Sequence, residues 1–458
     1  MRSHPGVGRF VTPLHERTLP AMEREIRKVV VLGANGAMGS GAAETFAAYG
    51  YTTVLLARDL AKAQQGLDRV KSMAKAEKIA DLCSLGSYEA DLENAVQDAD
   101  IVFEAVSEDM TIKRPFFERV DKARKPGSIV ATVSSGLSIR EMCAGLSDDF
   151  QKNFLGLHLF NPPNVIVGTE VIPHGGTDPE LTRWVIDFCQ KKLGREIVEC
   201  ADLPAFAGNR VGFKVLNECA QLAEEHGPAY IDALLGPHTG RAMAPLATID
   251  FVGWDVHKAI VDNVLANTKD EAHAAFAMPG YMSNLLGQGH MGNKTPAKGG
   301  FFRKVKDGKV TTLFVLDPKT CDYKPAAEVA PAPLDFVTEM QKLHRVGRYR
   351  QAMQVFLAAS GWEADLMRKV ILGYVSYGLN RVGEVVREPR DVDRIMGFGF
   401  NWAPPTVLTD LMGVGETIAA IEKADLPVPA VLTDHAAKGG GKLFREKFVD
   451  VGRFFVGS

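Results

Sequence analysis

The 458-residue sequence is poor in several things, and each shortage excludes a class of protein. Only six cysteines occur (Cys83, Cys143, Cys189, Cys200, Cys219 and Cys321), with no CxxC pair and no Cys/His spacing that suits a metal. This excludes a disulfide scaffold and a structural zinc site; no metal is expected, and reduced thiols point to the cytoplasm. No run of about 18 uncharged apolar residues is present, so no helix should span a bilayer. Neither sign of charge prevails: 53 basic against 56 acidic residues leave a net charge of -3, which gives no field to recruit nucleic acid or an anionic membrane. The opening residues, MRSHPGVGRFVTPLHERTLP, lack the apolar core of a secretory signal. Their first acid is Glu16, which leaves two readings of residues 1–25: a short import segment, or a loose or dimer-embracing arm, the arm being preferred.

What is there is an ordinary globular composition, 46% apolar and 24% charged, long enough at about 150 residues per domain for three folding units. From Arg27, KVVVLGANGAMGSGAAETFAAYGYTTVLLARD reads as strand, glycine-rich turn, Ala-rich helix and a second strand after Gly50. Helical spacing resumes from Lys62 to Lys78, and Asp98–Glu108 and Gly127–Ser135 supply two more buried strands. Alternating strands and helices imply a Rossmann-type, doubly wound parallel sheet with a ligand crevice at the strands' carboxyl ends.

Beyond Asn209-Arg210 the spacing becomes helical, and a repeat emerges. Ile231-Asp232 with Pro245 and Asp250–Gly253 is echoed by Val392-Asp393 with Pro405 and Asp410–Gly413, and Leu216-Asn217 by Leu379-Asn380. The expected organisation is an arm over 1–25, the dinucleotide-binding domain over 26–206, a first all-α domain over 207–320, a linker over 321–344 and a second all-α domain over 345–458. A short hairpin is expected in KVTTLFVLDPKTCDY, just before the Ala/Pro-rich stretch Lys324–Asp335.

The loop Gly33-Ala-Asn-Gly36-Ala-Met38-Gly39 sits between strand and helix, where backbone N–H groups and the helix N-terminus receive a pyrophosphate. Its GxxGxxG spacing is one residue longer than the common fingerprint. The end of the second strand, which chooses between NAD and NADP, reads Leu56-Ala57-Arg58-Asp59. Asp59 suits a ribose and NAD; Arg58, in the usual place of the acid, suits the 2′-phosphate of NADP. These two residues leave both cofactors open. His158 in FLGLHLFNPP and Glu170 in VIVGTEVIP both lie in apolar strands, and adjacent strands would let the carboxylate orient the imidazole as a general base.

FEAVSEDMTIK (103–113), SSGLSI (134–139), GLHLFNPP (156–163), TEVIP (169–173) and DLPAFAGNR (202–210) resemble, in order and spacing, the L-3-hydroxyacyl-CoA dehydrogenase family, from about Arg27 through the helical repeats. The resemblance implies oxidation of a (3S)-3-hydroxyacyl-CoA to the 3-ketoacyl-CoA, as in fatty-acid β-oxidation, and makes NAD the preferred cofactor over NADP. It implies that His158 is the base and Glu170 its orienting partner. Ser135 and Asn209 would hold the substrate oxygen, Glu108 and Lys113 would contact the nicotinamide half of the cofactor, and Asn161 would lie near nicotinamide and thioester. Lys294 would reach the cofactor from the helical part. An acyl-CoA partner, a monomer or homodimer, and association with other β-oxidation enzymes are the expected partners, the second helical copy standing in for a partner subunit.

Two further departures accompany the longer loop. Val133 stands where the family has Asn, and Ala205 replaces the glycine of a DxPGF turn. Ser135 also has a reading as a helix cap, and Asn209-Arg210 as a helix start and a surface charge. Lys71, Lys75 and Lys78, at steps of four and three, read either as a solvated helix face or as contacts to CoA phosphates. A catalytically silent nucleotide-binding scaffold and a dehydrogenase of free or ring-derived hydroxy acids are the alternative functions.

Overall fold

The computed structural model describes residues 24–446 and 449–455, so the expected arm lies almost wholly outside the described residues. The chain divides into two compact units, Met1–Phe206 with Gly383–Arg387, and Ala207–Val382 with Glu388–Ser458.

The first unit opens with β1 (Lys28–Leu32), α1 (Ala37–Ala48) and β2 (Thr52–Ala57). The β-branched run Val29–Val31 is fully buried and favours the strand, while Ala42, Ala43 and Ala47 let α1 lie close on the sheet. Next come α2 (Leu60–Met73), β3 (Cys83–Ser87), α3 (Leu92–Val96), β4 (Ile101–Glu104), α4 (Met110–Ala123) and β5 (Ile129–Thr132). Then follow α5 (Ile139–Cys143), α6 (Asp148–Lys152), β6 (Phe154–Leu159), β7 (Gly168–Pro173), α7 (Pro179–Leu193) and β8 (Glu196–Glu199). α2 stops at Met73, where Ala74 turns extended, so Lys71, Lys75 and Lys78 do not share a helix face; Lys78 pairs with Asp81 at 3.2 Å.

The strands form one sheet in the order β3-β2-β1-β4-β5-β6-β7-β8, a Rossmann-like arrangement. Chain order reverses beside β1, which is flanked by β2 and β4, and a crevice opens at such a switch point. The doubly wound parallel sheet expected from the sequence is present, with one antiparallel seam, where β7 runs against β6 and β8 follows β7. The loop 160–167 is too short for the helical crossover that a parallel neighbour requires, and the chain simply folds back.

The second unit begins with α8 (Gly208–His226), α9 (Pro228–Leu234), α10 (Pro245–Val252), α11 (Trp254–Asn267) and α12 (Gly280–Gly287). It is not purely helical. β9 (Phe302–Asp307), β10 (Val310–Leu316) and β11 (Tyr323–Pro325) form a small antiparallel sheet that adds one strand to the expected hairpin, because Phe302–Asp307 pairs with β10 through a tight Gly308 turn. The unit continues with α13 (Asp335–Arg345), α14 (Tyr349–Ala358), α15 (Trp362–Asn380), α16 (Pro389–Phe398), α17 (Pro405–Met412), α18 (Val414–Lys423) and α19 (Ala430–Ala437).

The sequence repeat has a physical basis in two matched carboxylate clamps. Asp232 on α9 accepts the N–H groups of Leu246 and Ala247 at the start of α10 (2.8 and 3.0 Å), and Asp393 on α16 accepts the Thr406 N–H at the start of α17 (3.1 Å). Asp250 accepts from Phe301 and Phe302 (2.9 and 2.8 Å), and Asp410 from Leu443 and Phe444 (2.9 and 3.0 Å). Each acid ties the first turn of a helix, or a returning loop, to the helix before it, satisfying N–H groups that have no intrahelical partner.

Candidate active site

The glycine loop leaves β1 through Gly33, whose φ of +80° suits glycine. A Cβ there would fall 2.2 Å from the Ala105 carbonyl oxygen, and one at Gly39 would fall 2.3 Å from that of Gly33. These two glycines serve packing. Gly36 differs: a Cβ would meet only the Gly33 oxygen, at 3.4 Å, so the missing side chain leaves space on the outer side of the loop. Gly36 is also the N-cap of α1, which has neither a side-chain cap nor an acid in its first turn. A bare helix N-terminus behind an open glycine carries positive potential and fits a dinucleotide pyrophosphate. Met38, in that first turn, packs against the apolar core. Gly33 and Ala34 both donate to the Leu56 carbonyl at 3.1 Å, and Gly33 N–H lies 2.8 Å from the Tyr88 hydroxyl, whose pKa burial pushes up to about 12.

Parallel pairing of β1, β4, β5 and β6 brings their carboxyl ends to one sheet edge. Gly33, Glu108, Ser135 and Asn161 follow these four ends. His158 is the fifth of six residues in β6, directly across from Glu170 on β7. Its Nδ1 lies 2.6 Å from Glu170 Oε2, with the carboxylate fully buried and the imidazole almost so. Cys200 Sγ approaches the other carboxylate oxygen at 3.5 Å, and Phe160 and Phe206 pack on the imidazole at 4.8 and 5.7 Å. Nδ1–H therefore donates to Glu170, and Nε2 is the nitrogen left for chemistry.

A second buried cluster underlies the same edge. Glu104, the last residue of β4, and Lys113 on α4 are both without exposed surface and meet at 2.8 and 2.9 Å. Glu104 also accepts from the Thr132 hydroxyl (2.5 Å) and Val106 N–H (2.6 Å). Lys113 Nζ lies 3.5 Å from Glu108, which accepts from the Ser134 hydroxyl (2.6 Å) and Ser135 N–H (2.7 Å). Lys113 has no exposed surface in this arrangement, and the side chain presented at that edge is Glu108. Lys113 instead fixes Glu108, which ties the loop after β4 to the loop after β5. Sequence reading missed Glu104, Thr132 and Ser134, although Glu104 carries the signal that singled out Glu170, an acid inside an apolar strand.

The remaining residues have other settings. Arg58 is 80% exposed, whereas Asp59 caps α2 by accepting the Lys62 N–H at 2.7 Å. Val133 lies in the apolar core. Ala205 does adopt a left-handed backbone, φ +60°, followed by Phe206 at +51°. That conformation disfavours a Cβ by about 1–2 kcal/mol and is held by the packing around it. In the second unit Asn209 is buried in the first turn of α8, and Lys294 pairs with Asp255 at 2.8 Å.

No helix among the described residues is long and apolar enough to cross a membrane, and no group of three or more potential metal ligands occurs among them. A family model described as the NAD binding domain of 3-hydroxyacyl-CoA dehydrogenase matches residues 28–203, and one described as its C-terminal domain matches 206–302. The chain is 30% identical over 447 residues to a probable 3-hydroxyacyl-CoA dehydrogenase of Bacillus subtilis, covering 91% of this chain but 55% of that protein, little more than half its length. It is 33% identical over 325 residues to a probable 3-hydroxyacyl-CoA dehydrogenase of Deinococcus radiodurans, covering 68% of this chain and 92% of the relative. A solved structure of 3-hydroxybutyryl-CoA dehydrogenase from Escherichia coli shares the fold over 91% of this chain and 99% of its own, with a TM-score of 0.65 and 19% identity.

Proposed function

The chain belongs to the 3-hydroxyacyl-CoA dehydrogenase family, a class of NAD-linked oxidoreductases, and from that premise we propose that it interconverts a (3S)-3-hydroxyacyl-CoA and the 3-ketoacyl-CoA in fatty-acid β-oxidation. The observation that carries this reading is the His158–Glu170 pair at 2.6 Å. With Nδ1–H committed to the carboxylate, Nε2 accepts the proton of the 3-hydroxyl, and Glu170 stabilises the imidazolium that results. In the reducing direction the imidazolium returns that proton to the carbonyl oxygen. NAD(H), when bound, accepts or supplies the hydride at C3. Gly33, Gly36, Met38 and Gly39 form the loop proposed to hold its pyrophosphate, and Glu108, steadied by Lys113, and Asn161 are assigned to its nicotinamide end. Ser135 and Asn209 are proposed as donors to the substrate oxygen, and Lys294 as a basic group for the cofactor, on family correspondence. The cytoplasm is the proposed compartment, on six free cysteines.

Acetoacetyl-CoA and NADH, followed by the absorbance of the reduced cofactor, test the proposal. The wild type is expected to consume both. His158→Gln should lower kcat by ~10²–10⁴ and Glu170→Gln by ~10² or more, with unchanged circular dichroism. Absence of wild-type turnover would favour the silent-scaffold alternative, and full turnover in both variants would discard the pair.

A further inference from the structure

The end of β2 is where a dinucleotide fold reads the adenosine ribose, and an acid there excludes a 2′-phosphate. Here the strand end is tied to the glycine loop, because Leu56 accepts the N–H groups of both Gly33 and Ala34 and pairs in register with Leu32. Arg58 follows two residues later, at the edge assigned to the cofactor.

The carboxylate that could act against a phosphate is already engaged. Asp59 Oδ1 accepts the Lys62 N–H at 2.7 Å as the N-cap of α2, and its Oδ2 lies 3.8 Å from Arg58 Nε. Removing it from the cap would leave an unsatisfied N–H in the first turn of α2. Arg58 spends little of its donor capacity: its side chain is 80% exposed, and the 3.8 Å approach to Asp59 is an ion pair longer than a hydrogen bond. A guanidinium presented in this way matches a phosphate monoester, with two parallel N–H donors and a full charge.

We infer that the cofactor site admits the 2′-phosphate of NADP(H), binding it at least as tightly as NAD(H), with Arg58 as the group that selects it. This rests on the proposed placement of the cofactor at that sheet edge, but not on turnover. The position where an acid would repel the phosphate holds an arginine instead, and the next acid in the chain caps a helix.

The test is binding without acyl-CoA, by tryptophan quenching or titration calorimetry with NADH and NADPH. The wild type should hold NADPH with a Kd equal to or below that for NADH. Arg58→Ala should raise the NADPH Kd tenfold or more and that for NADH less than twofold, and Arg58→Asp should reverse the preference. An exposed residue at a strand end tolerates these changes, which unaltered circular dichroism would verify. A wild-type Kd for NADPH ten times that for NADH, equal losses for both nucleotides in Arg58→Ala, or binding of neither would overturn the inference. If NADPH binds as expected but acetoacetyl-CoA is never reduced, the dehydrogenase proposal fails and this inference stands; NADH-linked turnover without NADPH binding gives the reverse.

Discussion

Glu104 and Glu170 are both carboxylates without exposed surface, set in apolar strands, yet their partners assign them different work. Glu170 faces an imidazole that can gain and lose a proton. Glu104 faces an ammonium group and organises two loops through it. A buried ion pair that loses one member leaves an uncompensated charge, which typically lowers stability by about 3–5 kcal/mol. Lys113→Met, which keeps the side chain's length and removes its charge, should therefore destabilise the protein by about that amount in denaturant unfolding. Replacing Glu104 by Gln in the same chain should restore part of the loss. A loss under about 1 kcal/mol would mean that the pair contributes no more than an exposed surface bridge.

At the scale of the element, the loop from β1 into α1 divides its glycines between two tasks. Gly33 is required by the fold, since its φ is +80° and a Cβ would lie 2.2 Å from a backbone oxygen. Gly36 has an extended backbone, φ −75°, that any residue adopts, and a Cβ there would meet only the Gly33 carbonyl oxygen, at 3.4 Å. Gly33→Ala should lower stability by about 2 kcal/mol or more, through strain and backbone displacement. Gly36→Ala should leave stability within about 0.5 kcal/mol of the wild type yet weaken NADH binding by about tenfold, a difference of ~1.4 kcal/mol. Thermal melts and a NADH titration of the two variants separate these outcomes; a Gly36→Ala protein that binds NADH normally would remove the loop from the cofactor site.

At the scale of the whole molecule, the second unit leaves a signature in the pH response. Burial raises Asp232 and Asp393 to about 7, with hydrogen bonds from α10 and α17 offsetting only part of the effect. A carboxyl raised in this way binds a proton in the folded state that the unfolded chain has released. Its contribution to stability is full below about pH 4 and is lost as the pH rises through about 7. Burial lowers His238 and His344 to about 4 and His257 to about 3, and these groups act in the opposite sense, losing stability as the pH falls below about 6.5. A single-site variant isolates one contribution. Asp393→Asn cannot ionise, so its Tm relative to the wild type should rise steadily from about pH 5 to about pH 8. A difference that stays flat across that range would show that Asp393 is ionised throughout in the fold.

Several features were legible in the sequence because short-range chemistry imposes them. Alternating apolar strands and an Ala-rich helix around Gly33–Gly39 demand a βαβ turn, and Asp232 is echoed by Asp393 because each of the two serves the start of the helix that follows it. Other features depend on how the elements pack. The apolar pattern does not say that β7 turns back along β6, nor that Lys113 is sealed beneath Glu104. Sequence periodicity reports which faces are apolar, but only packing decides which neighbour a strand takes and which charged groups lose their water.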